Sequence, residues 1–309
     1  MASTHAAAFA TMADVEVIGI FGRDIGRVRS VAMLCESKPV DDARALIESS
    51  VIDAIDICLP SAIHPEFAIA ALDHGKHVFC ETPMALRLAD ARAMRDAARK
   101  AGRLLQVGLL MRSVGAYQHL SKAVGSGAHG RLLGLSTWRL GSYLHPDAAD
   151  HKAHYSDPST ELMTFDFDVV LWLMGRPARL SAAGGGDVTA LLSYDDGRHA
   201  TVSASGLMPP GFRFTVGFRA LFERAAFELE TVFAGGSPRN TLTMAEGIAA
   251  PRAVALQGGN PYEAELRRFI DCIHGKADPA LLDAERAIEA LTLSLATQRA
   301  LAVGQSVAV

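Results

Sequence analysis

The sequence is poor in cysteine: its 309 residues include four, and no two of them form a CxxC pair. Cys58 and Cys80 lie inside apolar runs, where a thiol usually acts as a small hydrophobic side chain. Neither a disulfide framework nor a cysteine-based zinc site is therefore expected. This cysteine usage favours the reducing cytoplasm.

Neither sign of charge dominates, because 30 lysines and arginines stand against 34 aspartates and glutamates. The charged residues are interspersed, so a nucleic-acid or membrane partner is not expected. The apolar runs are interrupted, and none approaches the roughly 20 residues of a membrane-spanning helix. The first residues, MASTHAAAFATMADVEV, also lack the basic and apolar regions of a signal peptide.

The first third of the chain alternates strands with helices. Strands are predicted at 15–22, 54–60, 77–81 and 104–110, with helical patterns between them. This spacing predicts right-handed crossovers and a doubly wound parallel sheet of the Rossmann type over residues 1–112.

The pattern changes after residue 112. From Ala178 onward several strands follow one another without intervening helices, and Asp195-Asp196-Gly197 between two of them indicates a hairpin turn. Residues 113–309 are therefore predicted to form an α+β domain with an open, mainly antiparallel sheet.

Several separated motifs occur in a recognisable order between residues 54 and 177. They are Pro60 at a strand end, His64, Gly75-Lys76-His77-Val78, Glu81-Thr82-Pro83, Gly108, Arg112 and the segment DFDVVLWLMGRP at 166–177. Together they resemble the glucose–fructose oxidoreductase, inositol dehydrogenase and rhizopine-catabolism (Gfo/Idh/MocA) family. The resemblance implies a cytoplasmic NAD(P)-dependent oxidoreductase whose small-molecule substrate is a sugar, polyol or related hydroxyl or carbonyl compound. It also implies a homodimer or homotetramer formed through the open sheet of the second domain.

The strand ends at Leu59-Pro60 and Glu81-Thr82-Pro83 are the expected cofactor site, since ligands of open parallel sheets bind beyond the carboxyl ends of the strands. Pro60 and Pro83 have no N–H group and a fixed φ angle, so they can form rigid walls for a planar ring. Each proline alone could simply terminate a strand. With the resemblance added, the predicted cofactor-binding residues are Gly22, Arg23, Arg27, Leu59, Pro60, His64, Glu81, Pro83 and Arg112.

The second Rossmann strand bears on the choice of cofactor. A carboxylate at its end normally binds the adenine ribose, but Gly22 occupies that place here. Arg23 and Arg27 follow, and guanidinium groups suit a 2′-phosphate. These residues favour NADP, while Asp24 keeps NAD open as the alternative.

The start of the sequence departs from the Rossmann pattern. Residues 1–6 are similar to the end of a glycine-rich phosphate-binding turn and the first turn of its helix, and no strand or G-x-G precedes them. We expect about a dozen residues of that fold to be missing upstream, unless the chain naturally lacks its central strand. A missing central strand leaves unpaired backbone groups, so weak cofactor binding and low stability are expected of this chain.

The positions that carry the family's catalytic chemistry are substituted. Thr82 stands where the family has lysine, and Glu161 and Phe165 stand where it has an aspartate and, four residues later, a histidine. A threonine hydroxyl is a poor acid or base, and phenylalanine cannot transfer a proton. The candidate catalytic residues are Glu161, Thr82, His154 and Tyr155, with His145 and His151 as further proton donors nearby.

The substituted catalytic positions are compatible with three functional interpretations. The protein is a dehydrogenase or reductase with a relocated proton donor, a dinucleotide-binding enzyme with a non-redox or transient-redox step, or a non-catalytic ligand-binding subunit. No metal is expected at the histidines near residue 150, because their spacing matches neither a helical pair nor a zinc finger.

Overall fold

The structure is a computed structural model that describes residues 1–148, 157–233, 238–256 and 258–309. Its helices are α1 Ala2–Phe9, α2 Ile25–Leu34, α3 Ala43–Ile47, α4 His64–Asp73, α5 Leu88–Ala101, α6 Gly115–Ser126, α7 Pro158–Glu161, α8 Met163–Met174, α9 Pro261–Ile273 and α10 Ala284–Val303. Its strands are β1 Gly19–Phe21, β2 Lys38–Val40, β3 Ala54–Ile57, β4 His77–Cys80, β5 Leu105–Val107, β6 Leu132–Leu140, β7 Arg179–Gly184, β8 Asp187–Ser193, β9 His199–Ser205, β10 Thr215–Phe222, β11 Ala225–Val232, β12 Arg239–Glu246, β13 Arg252–Ala253 and β14 Val307–Ala308.

The chain divides into two compact units. Unit 1 comprises Met1–Ser113 and Gly259–Ile288, and unit 2 comprises Val114–Gly258 and Glu289–Val309. The predicted boundary after residue 112 differs from the first division by one residue. Residues 259–288, however, were expected in the second domain and belong to unit 1.

Packing explains why residues 259–288 join unit 1. The ring of Phe269 on α9 lies against Phe79 on β4, with 5.6 Å between centroids. The side-chain amide of Gln106 on β5 donates to the Pro279 carbonyl oxygen at 3.3 Å. The apolar face of α9 packs on the parallel sheet, and the buried Gln106 amide of that sheet bonds to the segment after α9. These contacts join parts of the chain that are far apart in sequence.

Unit 1 contains parallel strands joined by helices, as the sequence predicts. β1 pairs with β2, and β3, β4 and β5 form a second sheet in that order. The predicted sheet is therefore present as two separate parts. A cavity of about 1020 Å³ lies beside both of them, and its lining includes residues of β1 and β3.

Local signals fix the helices that flank these sheets. Asp24 caps α2 by accepting hydrogen bonds from the backbone N–H groups of Gly26 and Arg27. Asn260 caps α9 in the same way, with Pro261 in the first turn where its missing N–H group costs nothing. Gly102 ends α5 at a φ of +63°.

Unit 2 is built on one nine-stranded sheet in the order β13-β12-β11-β10-β6-β9-β8-β7-β14. Within this sheet, as far as the structure describes it, β6 and β9 are the only parallel pair, which confirms the predicted, mainly antiparallel sheet. The predicted turn at Asp195-Asp196-Gly197 joins β8 to β9, with Gly197 at a φ of +83°. No helix among the described residues is long and apolar enough to cross a membrane.

Candidate cofactor site

The loops after β3, β4 and β5 lie at one edge of the three-stranded sheet, because all three strands are parallel. These loops carry most of the residues that the sequence predicts for the cofactor. We call them the ledge, which comprises Leu59, Pro60, Glu81, Thr82, Pro83 and Gly108. Two side chains bind the three loops together.

His64 joins the first loop to the second. Its ring is buried, with Nδ1 at 3.0 Å from the Pro83 carbonyl oxygen and Nε2 at 2.6 Å from that of Leu59. Burial lowers the pKa of His64, and the two carbonyl oxygens oppose that shift only in part. The sequence predicts His64 as a cofactor ligand; in the structure both ring nitrogens face the backbone of the ledge.

Thr82 joins the second loop to the third. Its hydroxyl donates a hydrogen bond to the Gly108 carbonyl oxygen at 2.9 Å. A side chain on Gly108 would be crowded, since a Cβ atom there would lie 3.2 Å from Oε2 of Glu81. The hydroxyl that the sequence predicts as catalytic is thus engaged in holding the ledge together.

A buried polar group adjoins the ledge in unit 1. We call it the buried cluster, and it comprises His5, Asp56, Cys58, Glu81 and Glu265. His5 on α1 is 1% exposed; its Nδ1 lies 2.9 Å from Oδ2 of Asp56, and its Nε2 lies 2.8 Å from Oε1 of Glu81. The Glu81 carboxylate thus faces inward, with its other oxygen accepting from the Thr82 N–H group at 3.2 Å.

Burial and charge shift the pKa values of this cluster. Burial disfavours the imidazolium of His5, but the Asp56 charge and the hydrogen bonds with Asp56, Cys58 and Glu81 together outweigh it, so the pKa of His5 is raised. Burial, reinforced by Glu81, raises the pKa of Glu265 well above its usual range. Burial together with the Asp56 charge raises the pKa of the Cys58 thiol to about 12, so this cysteine is not a nucleophile near neutral pH.

The predicted phosphate ligands lie after β1. Arg23 and Arg27 are exposed, and Arg27 forms a 3.5 Å ion pair with Asp24. Because the Asp24 carboxylate already caps α2, one of its oxygens is committed to backbone N–H groups. No described contact joins either arginine to the ledge. Phe21, which precedes Gly22, lies against Phe67 of α4 with 6.3 Å between ring centroids.

The other predicted positions differ in exposure. Leu59 lines the cavity beside the sheets, while Pro60 is exposed. Arg112 is buried, with 5% of its surface accessible, in the turn after β5. Its guanidinium is therefore not an open surface group, unlike Arg23.

The catalytic candidates of unit 2 are only partly covered by the structure. Glu161 is the last residue of α7 and is half-buried. His154 and Tyr155, with His151, lie outside the described residues. His145 lies in a described turn and is half-buried.

Phe165 in unit 2 is accompanied by a buried ion pair that sequence reasoning did not identify. The Arg139 guanidinium lies 4.8 Å from the centroid of the Phe165 ring, and its Nε donates to Asp166 Oδ2 at 2.6 Å. Asp166 has no accessible surface, and its burial raises its pKa although Arg139 acts in the opposite direction. Arg139 thus covers the ring that replaces the family's histidine.

Sequence reasoning also missed His5, Asp56 and Glu265. Each had a weak signal, because each is a polar residue within an otherwise apolar pattern. Asp56 interrupts the strand Ala54–Ile57, and Glu265 precedes Leu266 on the buried face of α9. Such interruptions predict a buried polar contact, but they do not identify its partner.

Comparisons with known proteins agree with this geometry. The family profile described as "Oxidoreductase family, NAD-binding Rossmann fold" matches residues 1–109. The 1,5-anhydro-D-fructose reductase of Ensifer adhaerens is 26% identical over 291 residues, which cover 87% of this chain and 83% of that protein.

Solved structures extend the similarity to the whole fold. The UDP-N-acetylglucosamine 3-dehydrogenase of Acidithiobacillus ferrooxidans superposes with a TM-score of 0.80 at 23% identity, covering 97% of this chain and 94% of that one. A levoglucosan dehydrogenase in complex with NADH and levoglucosan gives a TM-score of 0.80 at 19% identity, covering 99% and 96%. At these identities the superpositions establish a shared fold.

Proposed function

Because this chain belongs to the Gfo/Idh/MocA family of NAD-binding oxidoreductases, we propose that it transfers hydride between NADP(H) and a hydroxyl or carbonyl carbon of a sugar or polyol. The observation that carries the proposal is the ledge. His64 and Thr82 hold together the loops that follow three parallel strands. These loops lie at the edge of the sheet where dinucleotides bind in folds of this kind. A nicotinamide ring bound on this surface would contact the two prolines. The three loops beneath it are held together and cannot move independently of one another.

The residues after β1 fit an adenosine ribose with a 2′-phosphate, as in NADP, better than one with a free 2′-hydroxyl, as in NAD. Arg23 is exposed and available, and Arg27 is also exposed beside it. Asp24 is the carboxylate that could hold a ribose 2′-hydroxyl, and it already caps α2. This arrangement supports NADP, with the nicotinamide end near Pro60, Glu81 and Pro83. The bound cofactor would supply the hydride, and the chain would hold and orient it.

The names of two relatives support a substrate class. The Ensifer protein is a reductase of an anhydro-sugar, and the levoglucosan dehydrogenase structure contains an anhydro-sugar. We assign a cyclic polyhydroxyl compound as the substrate of this chain. Glu161 would accept or return the proton of the reacting hydroxyl, and His154 or Tyr155 would assist it.

A second function is supported by two contacts. The Thr82 hydroxyl is engaged with Gly108, and Arg139 covers Phe165, so neither family position offers a free proton donor. These contacts suit a dinucleotide-binding protein with a non-redox step or with no turnover. The two functions differ in one measurable property, the net consumption of reduced cofactor.

The open sheet of unit 2 supports self-association as a homodimer or homotetramer. Its outward residues include Leu191 at 41% and Leu221 at 49% exposure. Large apolar side chains on an exposed sheet face are typical of interfaces between copies of a chain. Light scattering during size-exclusion chromatography tests this, and Leu221→Glu should shift the mass to that of a monomer.

The main experiment titrates the full chain with NADPH and NADH and then follows NADPH consumption with a panel of cyclic sugars and ketoses. NADPH should bind at least about tenfold more tightly than NADH, and Arg23→Ala should remove that preference. Arg29→Ala is the control, since Arg29 is an exposed arginine on α2, which begins two residues after Arg23. Glu161→Gln should abolish turnover without changing cofactor affinity. Equal affinity for both cofactors would contradict the NADP assignment, and binding without turnover on any substrate would favour the second function.

A further inference from the structure

We propose that His5, Glu81 and Glu265 form a binding site for one divalent transition-metal ion, for which Zn²⁺ is the natural probe. The site goes beyond the proposed redox function, because it lies within unit 1 and needs neither cofactor nor sugar. It brings together α1, the ledge and α9, which are distant in sequence.

The three ligands have the right composition and spacing. One imidazole nitrogen and one oxygen from each glutamate all lie within 4.8 Å of one another. Two ligand atoms on a tetrahedral zinc ion at the usual bond lengths are about 3.3 Å apart. The His5 Nε2 to Glu81 Oε1 distance is 2.8 Å, so this pair must open by about half an ångström to admit the ion.

Among the described residues, the ligand atoms of His5 and Glu81 contact only each other, and those of Glu265 have no partner. Nε2 of His5 and Oε1 of Glu81 are buried and contact each other at 2.8 Å, and both carboxylate oxygens of Glu265 are buried without a hydrogen bond. Glu265 has no accessible surface, so its carboxylate does not contact bulk solvent. Buried polar atoms left in this state are costly, and a cation bound among them would satisfy all three side chains at once.

Asp56 is not a ligand in this proposal, but it orients the His5 ring. Its two oxygens lie 2.9 and 3.1 Å from Nδ1 of His5. A carboxylate that accepts from one ring nitrogen orients the other nitrogen as a metal ligand, an arrangement typical of zinc-bound histidines. Cys58 Sγ lies 3.3 Å from the same Nδ1 and so belongs to the Asp56 side of the ring, outside the ligand set.

The cavity beside the two sheets reaches the Asp56 side of the buried cluster. Asp56 and Cys58 line the cavity beside the two sheets, and the Asp56 side chain retains 23% of its accessible surface. The combination of imidazole and carboxylate ligands favours Zn²⁺ or a similar transition metal over Mg²⁺ or Ca²⁺, which prefer oxygen alone. The two ligand carboxylates would neutralise a divalent ion.

The test measures metal binding by the full chain without cofactor. The protein is stripped with a chelator, incubated with Zn²⁺, dialysed and analysed by elemental mass spectrometry. Wild type should retain about one zinc per chain and melt at a higher temperature with the metal than without it. Glu265→Gln and His5→Gln should each weaken binding at least about tenfold. Glu263→Gln is the matched control, because Glu263 lies on the same helix and bonds to Thr11 outside the cluster.

Two results would overturn the proposal. One is a wild-type chain that retains no zinc after dialysis, and the other is a Glu265→Gln chain that binds zinc as tightly as wild type. If the variants fail to fold, the visible spectrum of wild type loaded with Co²⁺ still decides. A four- or five-coordinate spectrum supports the site, and the spectrum of hexaaqua Co²⁺ refutes it. None of these readouts depends on cofactor binding, so failure here leaves the proposed hydride transfer untouched.

Discussion

The Nε2 atom of His64 lies 2.6 Å from the carbonyl oxygen of Leu59, so the first residue of α4 holds the loop that follows β3. The opposite ring nitrogen lies 3.0 Å from the Pro83 carbonyl oxygen, in the loop that follows β4. A neutral imidazole has a single N–H group and can donate to only one of these oxygens at a time. The ring therefore holds the two loops at a fixed separation through packing as well as hydrogen bonding.

Replacing His64 with alanine should loosen the ledge. The change leaves buried carbonyl oxygens without their partner and opens a cavity, which should cost about 2 to 4 kcal/mol of unfolding free energy. Cofactor affinity should fall with it, because the proline walls lose their common anchor. Denaturant unfolding and a fluorescence titration with NADPH measure the two effects. His74→Ala, on the exposed end of the same helix, should change stability by less than about 0.5 kcal/mol. Equal effects from both variants would show that the bridge is unimportant.

Lowering the pH should reduce the free energy of unfolding through protonation of His64. The pKa of His64 is lowered in the folded state, whereas in the unfolded chain it is about 6.5. Above that pH neither state binds the proton, and the contribution of His64 to stability is fully present. As the pH falls below it, the unfolded state binds the proton first and stability is lost, by at most about 1.4 kcal/mol per pH unit.

His5 has the opposite sign, because its raised pKa makes the folded state bind the proton more tightly. The pH profile must therefore be read as a difference between wild type and His64→Gln. Unfolding free energies measured from pH 7.5 down to 4.5 should show wild type losing stability more steeply than the variant below about pH 6.5. Parallel curves would mean that His64 titrates alike in both states.

Thr82 offers a test that separates structural from catalytic roles. Thr82→Val keeps the shape but removes the donor to Gly108, and should destabilise the chain by about 1 kcal/mol. Thr82→Ser retains the hydroxyl and should stay close to wild type in both stability and turnover. If instead Thr82→Val lowers kcat with unchanged stability and unchanged cofactor affinity, the hydroxyl takes part in the chemistry. Urea unfolding with steady-state kinetics on the same samples distinguishes the two results.

The sequence predicted the alternation of strands and helices in unit 1 because parallel strands buried on both faces are continuous apolar runs. It missed β2, since Lys38–Val40 is only three residues long and contains a proline. It also missed β12, whose outward residues are polar and conceal the inward pattern of Leu242 and Met244. Short or polar edge elements gain their structure from their neighbours rather than from their own pattern.

The ledge was predictable in its positions but not in its bonds. Strand ends and prolines indicate where loops meet, whereas nothing in the local pattern says that His64 faces the carbonyl oxygens of Leu59 and Pro83. The placement of Glu265 in the buried cluster depends on α9 returning to unit 1, a contact across more than half of the chain. Side-chain partners at such separations are fixed by packing, which sequence periodicity does not encode.

The buried pair of Arg139 and Asp166 gives the last prediction. The Nε to Oδ2 distance is 2.6 Å and both side chains are almost inaccessible, so removing either charge leaves the other unpaired in the interior. Arg139→Met and Asp166→Asn should each cost about 3 to 5 kcal/mol, whereas the double variant should cost less than the sum. The coupling can be measured by a double-mutant cycle of urea unfolding, with Arg219 and Glu228 as the exposed control pair at 3.2 Å. The control cycle should give less than about 1 kcal/mol. If the Arg139–Asp166 coupling is equally small, the pair does not hold the guanidinium over Phe165, and its position there must come from ring contact alone.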